Sequence, residues 1–248
     1  MSALRFKKWK TLSGSIVMAR DGLSLPERFI EELFSKGEEF ESSGRGAIRK
    51  GTLPSGESYI LRPYRRGGLV QHLSEESFIS FPTSSYRPFI ELEITAQLFD
   101  AGVKVPMPLF AVVVRSALRI TYTGAIATQE IRDSENLLVG SQTWSLDKQR
   151  VVARSSGYEA GKMLLAGIYH RDLHPANVLV KGESEVFLID FDKAIRIGQT
   201  GLSRYADRLV ERWGRAVKKR GLNEALTKEF VAGLEDGASL AVSRLAVK

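Results

Sequence analysis

Cysteine is absent from the 248 residues, so neither a disulfide framework nor a thiolate metal site can form, and redox chemistry gives no guide to compartment. Long apolar runs are missing as well. Nothing reaches the roughly 18 to 20 residues that a bilayer span requires, and the opening MSALRFKKWK lacks the apolar stretch of a secretory signal. A cytoplasmic protein is the expectation. Internal repeats and low-complexity tracts are also absent. What is present is a hydrophobic fraction of 43%, ample for one large domain or two small lobes. Thirty-six Lys and Arg against 29 Asp and Glu leave a net charge of +7. That excess favours an anionic partner such as nucleotide, nucleic acid, phosphorylated glycan or an acidic membrane face, without choosing among them.

The first half of the chain reads as strands and tight turns. AIRKG (47–51) and SYILRPY (58–64) flank TLPSGE, whose Pro-Ser-Gly is turn chemistry, so the pair predicts a hairpin. Before it, GEEFESSGRGA reads as a strand running into a glycine-bearing turn. In PFIELEITAQLFDA (88–101), Phe89, Leu92, Thr95, Ala96 and Phe99 recur at helical spacing, and Gly102 suits a helix stop. The β-branched stretch that follows predicts two or three further antiparallel strands, ending the first lobe near Ile131. From about 146 a long helical pattern leads into HRDLHPANVLV, and two short apolar runs separated by KGE predict a small hairpin. The tail from Ser203 is charged and helical. The expected architecture is α+β in two lobes, 1–131 and 132–248, with an antiparallel sheet plus one helix first and a reduced helical lobe second.

HRDLHPANVLV carries the strongest chemical signal. Asp172 and Asn177 stand five positions apart in a Pro-containing loop feeding an apolar strand, which is the spacing of the kinase catalytic loop. Phosphoryl transfer needs a carboxylate to orient and accept the proton of an attacking hydroxyl, and a neutral oxygen ligand nearby for magnesium. Asp172 and Asn177 supply those two groups. Thirteen positions on, VFLIDFDKA sets Asp190 after four apolar residues, at the strand end where a hard oxygen ligand for Mg2+ would stand. Taken singly, each of the three could be a turn residue, a cap or a strand-end acid; their order and spacing together point to the site. His170 is expected to pack and hydrogen-bond beneath the loop rather than titrate. Asp192 reads equally as a second metal ligand or a loop acid.

Weaker features bear on the nucleotide. Gly44 and Gly46, then Gly51, permit backbone N–H groups to approach phosphates closely, although ordinary turns use glycine too. A kinase grips the phosphates with a third-strand lysine paired to a glutamate on the first-lobe helix. Here the strand offers Arg62 and the helix Glu91 or Glu93, with Glu91 preferred. An arginine can hold phosphate oxygens bidentately. Glu130 and Ile131, at the end of the first lobe, are the expected nucleotide contacts there.

These residues, with YILRPYRRGGLV, RPFIELEITAQLFDAGVKVPMP and HRDLHPANVLV…FLIDFDKA, resemble the Kdo kinase and heptose kinase family of lipopolysaccharide inner-core kinases across roughly residues 40–195. The resemblance implies a compact protein-kinase-like fold using ATP and Mg2+ to phosphorylate a sugar hydroxyl of the growing lipid A core. It implies work at the cytoplasmic face of the inner membrane, and a lipid-linked anionic acceptor of the Kdo-lipid A type. It also implies Asp172 as base, Asn177 and Asp190 as metal ligands, and Arg62 with Glu91 as the phosphate-positioning pair. The segment Arg65-Arg66-Gly67-Gly68 points to the Kdo branch, and Arg65 and Arg66 are the expected contacts to the acceptor's anionic groups. Arg171 departs from the small residue expected inside that motif for Kdo kinases, which leaves a heptose kinase open. Only 56 residues follow Asp192, with no Ala-Pro-Glu segment, too few for a full peptide-docking lobe. A compact atypical protein kinase is the further alternative; nucleic acid is not the expected partner. Arg204, Arg208, Arg212, Arg215 and Lys219 form one helical stripe opposite Leu209, Trp213 and Val217, suited either to lipid phosphates or to solvent with Asp207 and Glu211 as partners. FKKWK (6–10) reads as an interfacial anchor or as a disordered or strand-forming terminus.

Overall fold

The computed structural model describes residues 3–33, 38–40, 48–64, 78–79, 86–115 and 121–238. The contacts divide the chain into two compact units, 1–96 with 107–130, and 97–106 with 131–248. The sequence suggests a single cut after 131; the contacts instead interleave a ten-residue stretch into the second unit.

The first unit holds, in chain order, β1 (Phe6–Lys10), β2 (Ile16–Arg20), α1 (Glu27–Glu32), β3 (Glu38–Phe40), β4 (Ile48–Thr52), β5 (Ser58–Pro63), β6 (Phe78–Ile79), most of α2 (Arg87–Asp100), β7 (Pro108–Arg115) and β8 (Thr121–Gln129). Its strands form one antiparallel sheet in the order β1-β2-β7-β8-β5-β4-β3, with β6 also on β8. FKKWK is thus an edge strand. The side-chain alternation of a strand explains how the middle is buried on both faces. On β7, Phe110 and Val112 turn to one core with Val17, Ile30, Tyr59 and Leu61. Ala111 and Val113 turn to the other, with Phe89, Leu92, Tyr122 and Ile126. The first core is closed by α1, a six-residue helix in addition to the one expected, and the second by α2.

The second unit contains β9 (Ser134–Asn136), α3 (Leu137–Gly140), α4 (Leu146–Leu165), β10 (Ile168–Tyr169), β11 (Val178–Lys181), β12 (Glu185–Leu188), β13 (Ile195–Arg196), α5 (Leu202–Lys219) and α6 (Ala225–Gly237). Ser145 caps α4, its hydroxyl accepting the amide of Lys148. The expected hairpin is β11 with β12, joined by β9 into three strands. Residues 97–106 belong here because their backbone is used here. Lys104 N–H donates to Glu159 at 2.8 Å and its carbonyl accepts from Leu188 N–H at 2.9 Å, while the Gln97 side chain donates from Nε2 to the Ala166 carbonyl at 2.7 Å.

The helical core depends on four glycines. A Cβ on Gly157 would lie 2.0 Å from the Phe230 carbonyl oxygen, and one on Gly233 would lie 1.9 Å from that of Arg154. Gly161 and Gly237 are blocked in the same way, so α4 and α6 touch backbone to backbone. On α5, Trp213 stacks on Phe230 of α6 at 4.2 Å, and Leu209, Trp213 and Val217 are fully buried as the apolar stripe predicts. In an isolated helix, Gly→Ala stabilises by about 1 kcal/mol. Here the sign should reverse: Gly157→Ala or Gly233→Ala should destabilise by about 3 kcal/mol, since the helices must separate. Urea unfolding checks this, and a stabilised variant would contradict the close packing.

Candidate functional site

In the second unit, the antiparallel register of β11 and β12 sets the site. Val178 pairs with Leu188 at the ladder's end, and one step beyond, Ile189 N–H donates to the Asn177 carbonyl at 3.1 Å. Asn177 is therefore held opposite the residue that precedes Asp190. Asp190 itself adopts φ +68°, a left-handed conformation that aspartate tolerates better than most residues and that turns the chain out of its strand.

His170 joins the same two loops. Its Nδ1 lies 3.1 Å from Asp172 N–H and must accept, so Nε2 carries the proton and donates to the Ile189 carbonyl at 3.1 Å. The ring is wholly buried. Burial pushes its pKa down to about 4, outweighing the Ile189 hydrogen bond and the carboxylates of Asp190 and Asp172. This is the packed, neutral histidine that the sequence leads one to expect.

Asp172 is gripped on both oxygens. Lys193 Nζ lies 2.9 Å from Oδ2, Arg212 of α5 pairs with Oδ1, and His174 Nε2 stands 4.0 Å from Oδ1. Burial by itself would raise the Asp172 pKa; the Lys193 hydrogen bond and the Arg212 charge overcome it and hold the carboxyl below its ordinary value. Burial likewise lowers His174; Asp172 opposes this, while Arg220 and Arg212 add to it. Of the α5 stripe, then, Arg212 has a specific partner. Arg215 meets Glu211 at 3.6 Å, and Arg208 lies over the Tyr205 ring.

The donor set suits magnesium. Asn177 uses Nδ2 to hold the Asp172 carbonyl at 2.9 Å, so its Oδ1 is the atom that could serve as a neutral oxygen ligand, with Asp190 the carboxylate of the pair. Among the described residues no group of three His, Cys, Asp or Glu forms a self-sufficient metal cage. Two protein oxygens completed by phosphate oxygens and water are the usual arrangement for this ion.

In the first unit, Arg62 on β5 forms an ion pair with Glu91 on α2, and the Tyr64 hydroxyl donates to the same carboxylate. Glu91 is buried, whereas Glu93 is exposed. Glu130 ties its amide to the Ser58 carbonyl at 3.1 Å and its carboxylate to Lys50 at 2.6 Å. The Ile131 carbonyl accepts the Ser134 hydroxyl. Gly51 answers to packing, since a Cβ there would lie 2.4 Å from the Tyr59 ring. Gly44, Gly46, Arg65 and Arg66 lie outside the described residues. Sequence reasoning did not assign Lys193, His174 or Arg220 to this site; a lysine three positions beyond Asp190 was the one local sign.

The sequence pattern of the lipopolysaccharide kinase (Kdo/WaaP) family matches residues 34–233. A 3-deoxy-D-manno-octulosonic acid kinase of Vibrio vulnificus (strain YJ016) is 31% identical over 73% of this chain and 75% of its own. The protein of that name from Stenotrophomonas maltophilia (strain R551-3) is 30% identical over 88% of this chain and 87% of its own. The solved structure of WaaP in complex with acyl carrier protein shares the fold, with a TM-score of 0.54 at 17% identity, covering 87% of this chain and 90% of that one.

His170 has a measurable consequence. An unfolded histidine titrates near 6.5 and the folded ring near 4, so between those values the unfolded chain binds a proton that the native one refuses. Stability should be complete above pH 6.5 and fall by about 2 kcal/mol by pH 5 on this account. Denaturant titrations of wild type and His170→Asn at pH 7 and pH 5 test it, because the variant should lose this part of the slope. Equal slopes would show that the ring is charged in the native state.

Proposed function

The chain belongs to the lipopolysaccharide kinase (Kdo/WaaP) family, and we propose that its own reaction is transfer of the γ-phosphoryl group of ATP to a hydroxyl of Kdo attached to a lipid A precursor. The observation that carries this reading is the joining of Asp172, Asn177 and the Asp190 segment by His170 and the β11–β12 register. Phosphoryl transfer is mostly a problem of positioning and charge neutralisation. The acceptor oxygen forms a bond to the γ-phosphorus as the bond from phosphorus to the β-phosphate oxygen breaks, releasing ADP, and the hydroxyl proton passes to Asp172. A carboxylate of lowered pKa is a weak base. It therefore orients the hydroxyl and takes the proton late, as a loose transition state permits.

Asn177 Oδ1 and Asp190 would hold a magnesium ion, whose contribution when bound is neutralisation of phosphate charge. Arg62, set by Glu91 and Tyr64, would fork onto the phosphate oxygens, and Gly44, Gly46, Glu130 and Ile131 would complete the nucleotide contacts. Arg65 and Arg66 would meet anionic groups of the acceptor. No described helix is long and apolar enough to cross a membrane. The exposed cations Arg204, Arg208, Arg215 and Lys219 on α5 support peripheral contact with acidic lipid at the cytoplasmic face of the inner membrane, where the acceptor is anchored.

Radiolabelled ATP offered with a Kdo-lipid A precursor, its heptosylated counterpart and a generic protein tests the reading. Label should enter the Kdo-bearing lipid; label confined to heptose or protein would overturn it. Asp172→Ala and Asp190→Ala should each lower kcat by about a hundred- to ten-thousandfold in folded protein. Asn177→Ala should also raise the magnesium concentration needed for half-maximal rate, and an unchanged magnesium titration would reduce Asn177 to a loop cap.

A further inference from the structure

Both oxygens of Asp172 are already engaged by cations, so an incoming hydroxyl must compete with them for the carboxylate. Lys193 holds Oδ2, Arg212 holds Oδ1, and His174 stands beside the latter. Two full positive charges thus share one carboxylate. Arg212 is the more telling of the two, because it arrives from α5, forty residues along the chain, with its side chain only 35% exposed. Its Nε is buried and finds no hydrogen-bond partner among the described residues, and the same is true of His174 Nδ1. A half-buried guanidinium with an unused donor, in a locally cationic site, is suited to a second carboxylate.

We propose that Arg212 is the specificity residue for the acceptor's carboxylate, and that the acceptor, by taking over the Arg212 guanidinium, releases Asp172 Oδ1 to meet its hydroxyl. The proposal rests on the reading of the acceptor as an acidic sugar. It makes the resting ion pair a guard. Without an anionic acceptor the orienting carboxylate stays neutralised and a water molecule is a poor substitute, because water brings no charge to displace Asp172. With the acceptor bound, one carboxylate replaces another on the same fork, so the guanidinium stays paired as the base is freed, and the added negative charge offsets the cationic excess of Lys193 and Arg212 over Asp172. Lys193 remains on Oδ2 and keeps Asp172 ionised. Arg212 acts on specificity by this exchange; it takes no part in bond making.

The test compares a Kdo-bearing acceptor with its carboxyl methyl ester, using wild type, Arg212→Ala and Arg212→Lys. Wild type should prefer the acid by about 10- to 100-fold in kcat/KM, the range expected for a charged hydrogen-bonded pair. Arg212→Ala should reduce that preference to a few-fold by raising the KM of the acid, with the KM of ATP unchanged. Arg212→Lys should keep part of the preference. An undiminished preference in Arg212→Ala overturns the proposal. So does an equal loss on acid and ester, which would make Arg212 a mere brace for Asp172, or a loss expressed in the KM of ATP, which would make it a phosphate ligand. Should Arg212→Ala fold poorly, the folded Arg212→Lys decides by the same ratio: a preference identical to wild type combined with an unchanged acid KM counts against the exchange. Failure of wild type to phosphorylate any Kdo acceptor is a separate result, and it removes the proposed function itself.

Discussion

One buried imidazole holds two loops of the second unit in register. His170 accepts from the backbone of Asp172 and donates to the carbonyl that precedes Asp190, so two loops eighteen residues apart in the chain share a single rigid ring. A water molecule could make both bonds but would not fix their angle. A charged imidazolium could not accept from Asp172 N–H at all. The neutral form is therefore required by the geometry, and burial secures it. Asn177 adds a second tie, from its side chain to the Asp172 carbonyl and from its own carbonyl to Ile189 N–H. Each chemical group is positioned by backbone that some other group satisfies.

The first unit uses the same economy with charge instead of a ring. Glu91, buried on α2, takes both the Arg62 guanidinium and the Tyr64 hydroxyl. A buried carboxylate without such partners would be costly, and with them it fixes the position of the Arg62 guanidinium. Asp172 shows the pattern inverted, one carboxylate between two cations. In both places a carboxylate and its partners within the protein fix one another's position.

Much of this was legible in the sequence because it is local. The hairpins of β4–β5 and β11–β12, the helices α2 and α4, and the spacing of Asp172, Asn177 and Asp190 are each specified within a short stretch by turn residues and apolar periodicity. Protein-kinase-like α+β architecture followed from their order. The role of Arg212 was not legible, since its helical stripe looks alike at Arg208, Arg212 and Arg215, and only tertiary packing of α5 selects the one that meets Asp172. Gly157, Gly161, Gly233 and Gly237 look like weaknesses in helices until the two helices are laid together. The placement of 97–106 with the second unit depends on backbone bonds to Glu159 and Leu188, far along the chain, which no local pattern announces.

The central claim is that a neutral, Nε2-protonated His170 aligns Asp172 with the Asp190 loop. Nitrogen-15 NMR of histidine-labelled protein reads this directly, because the chain has only three histidines and the two ring nitrogens report their protons separately. The expected spectrum shows a His170 ring protonated on Nε2 alone, with no titration until the pH approaches about 4. A ring that carries its proton on Nδ1, or that titrates near the ordinary 6.5, would contradict it.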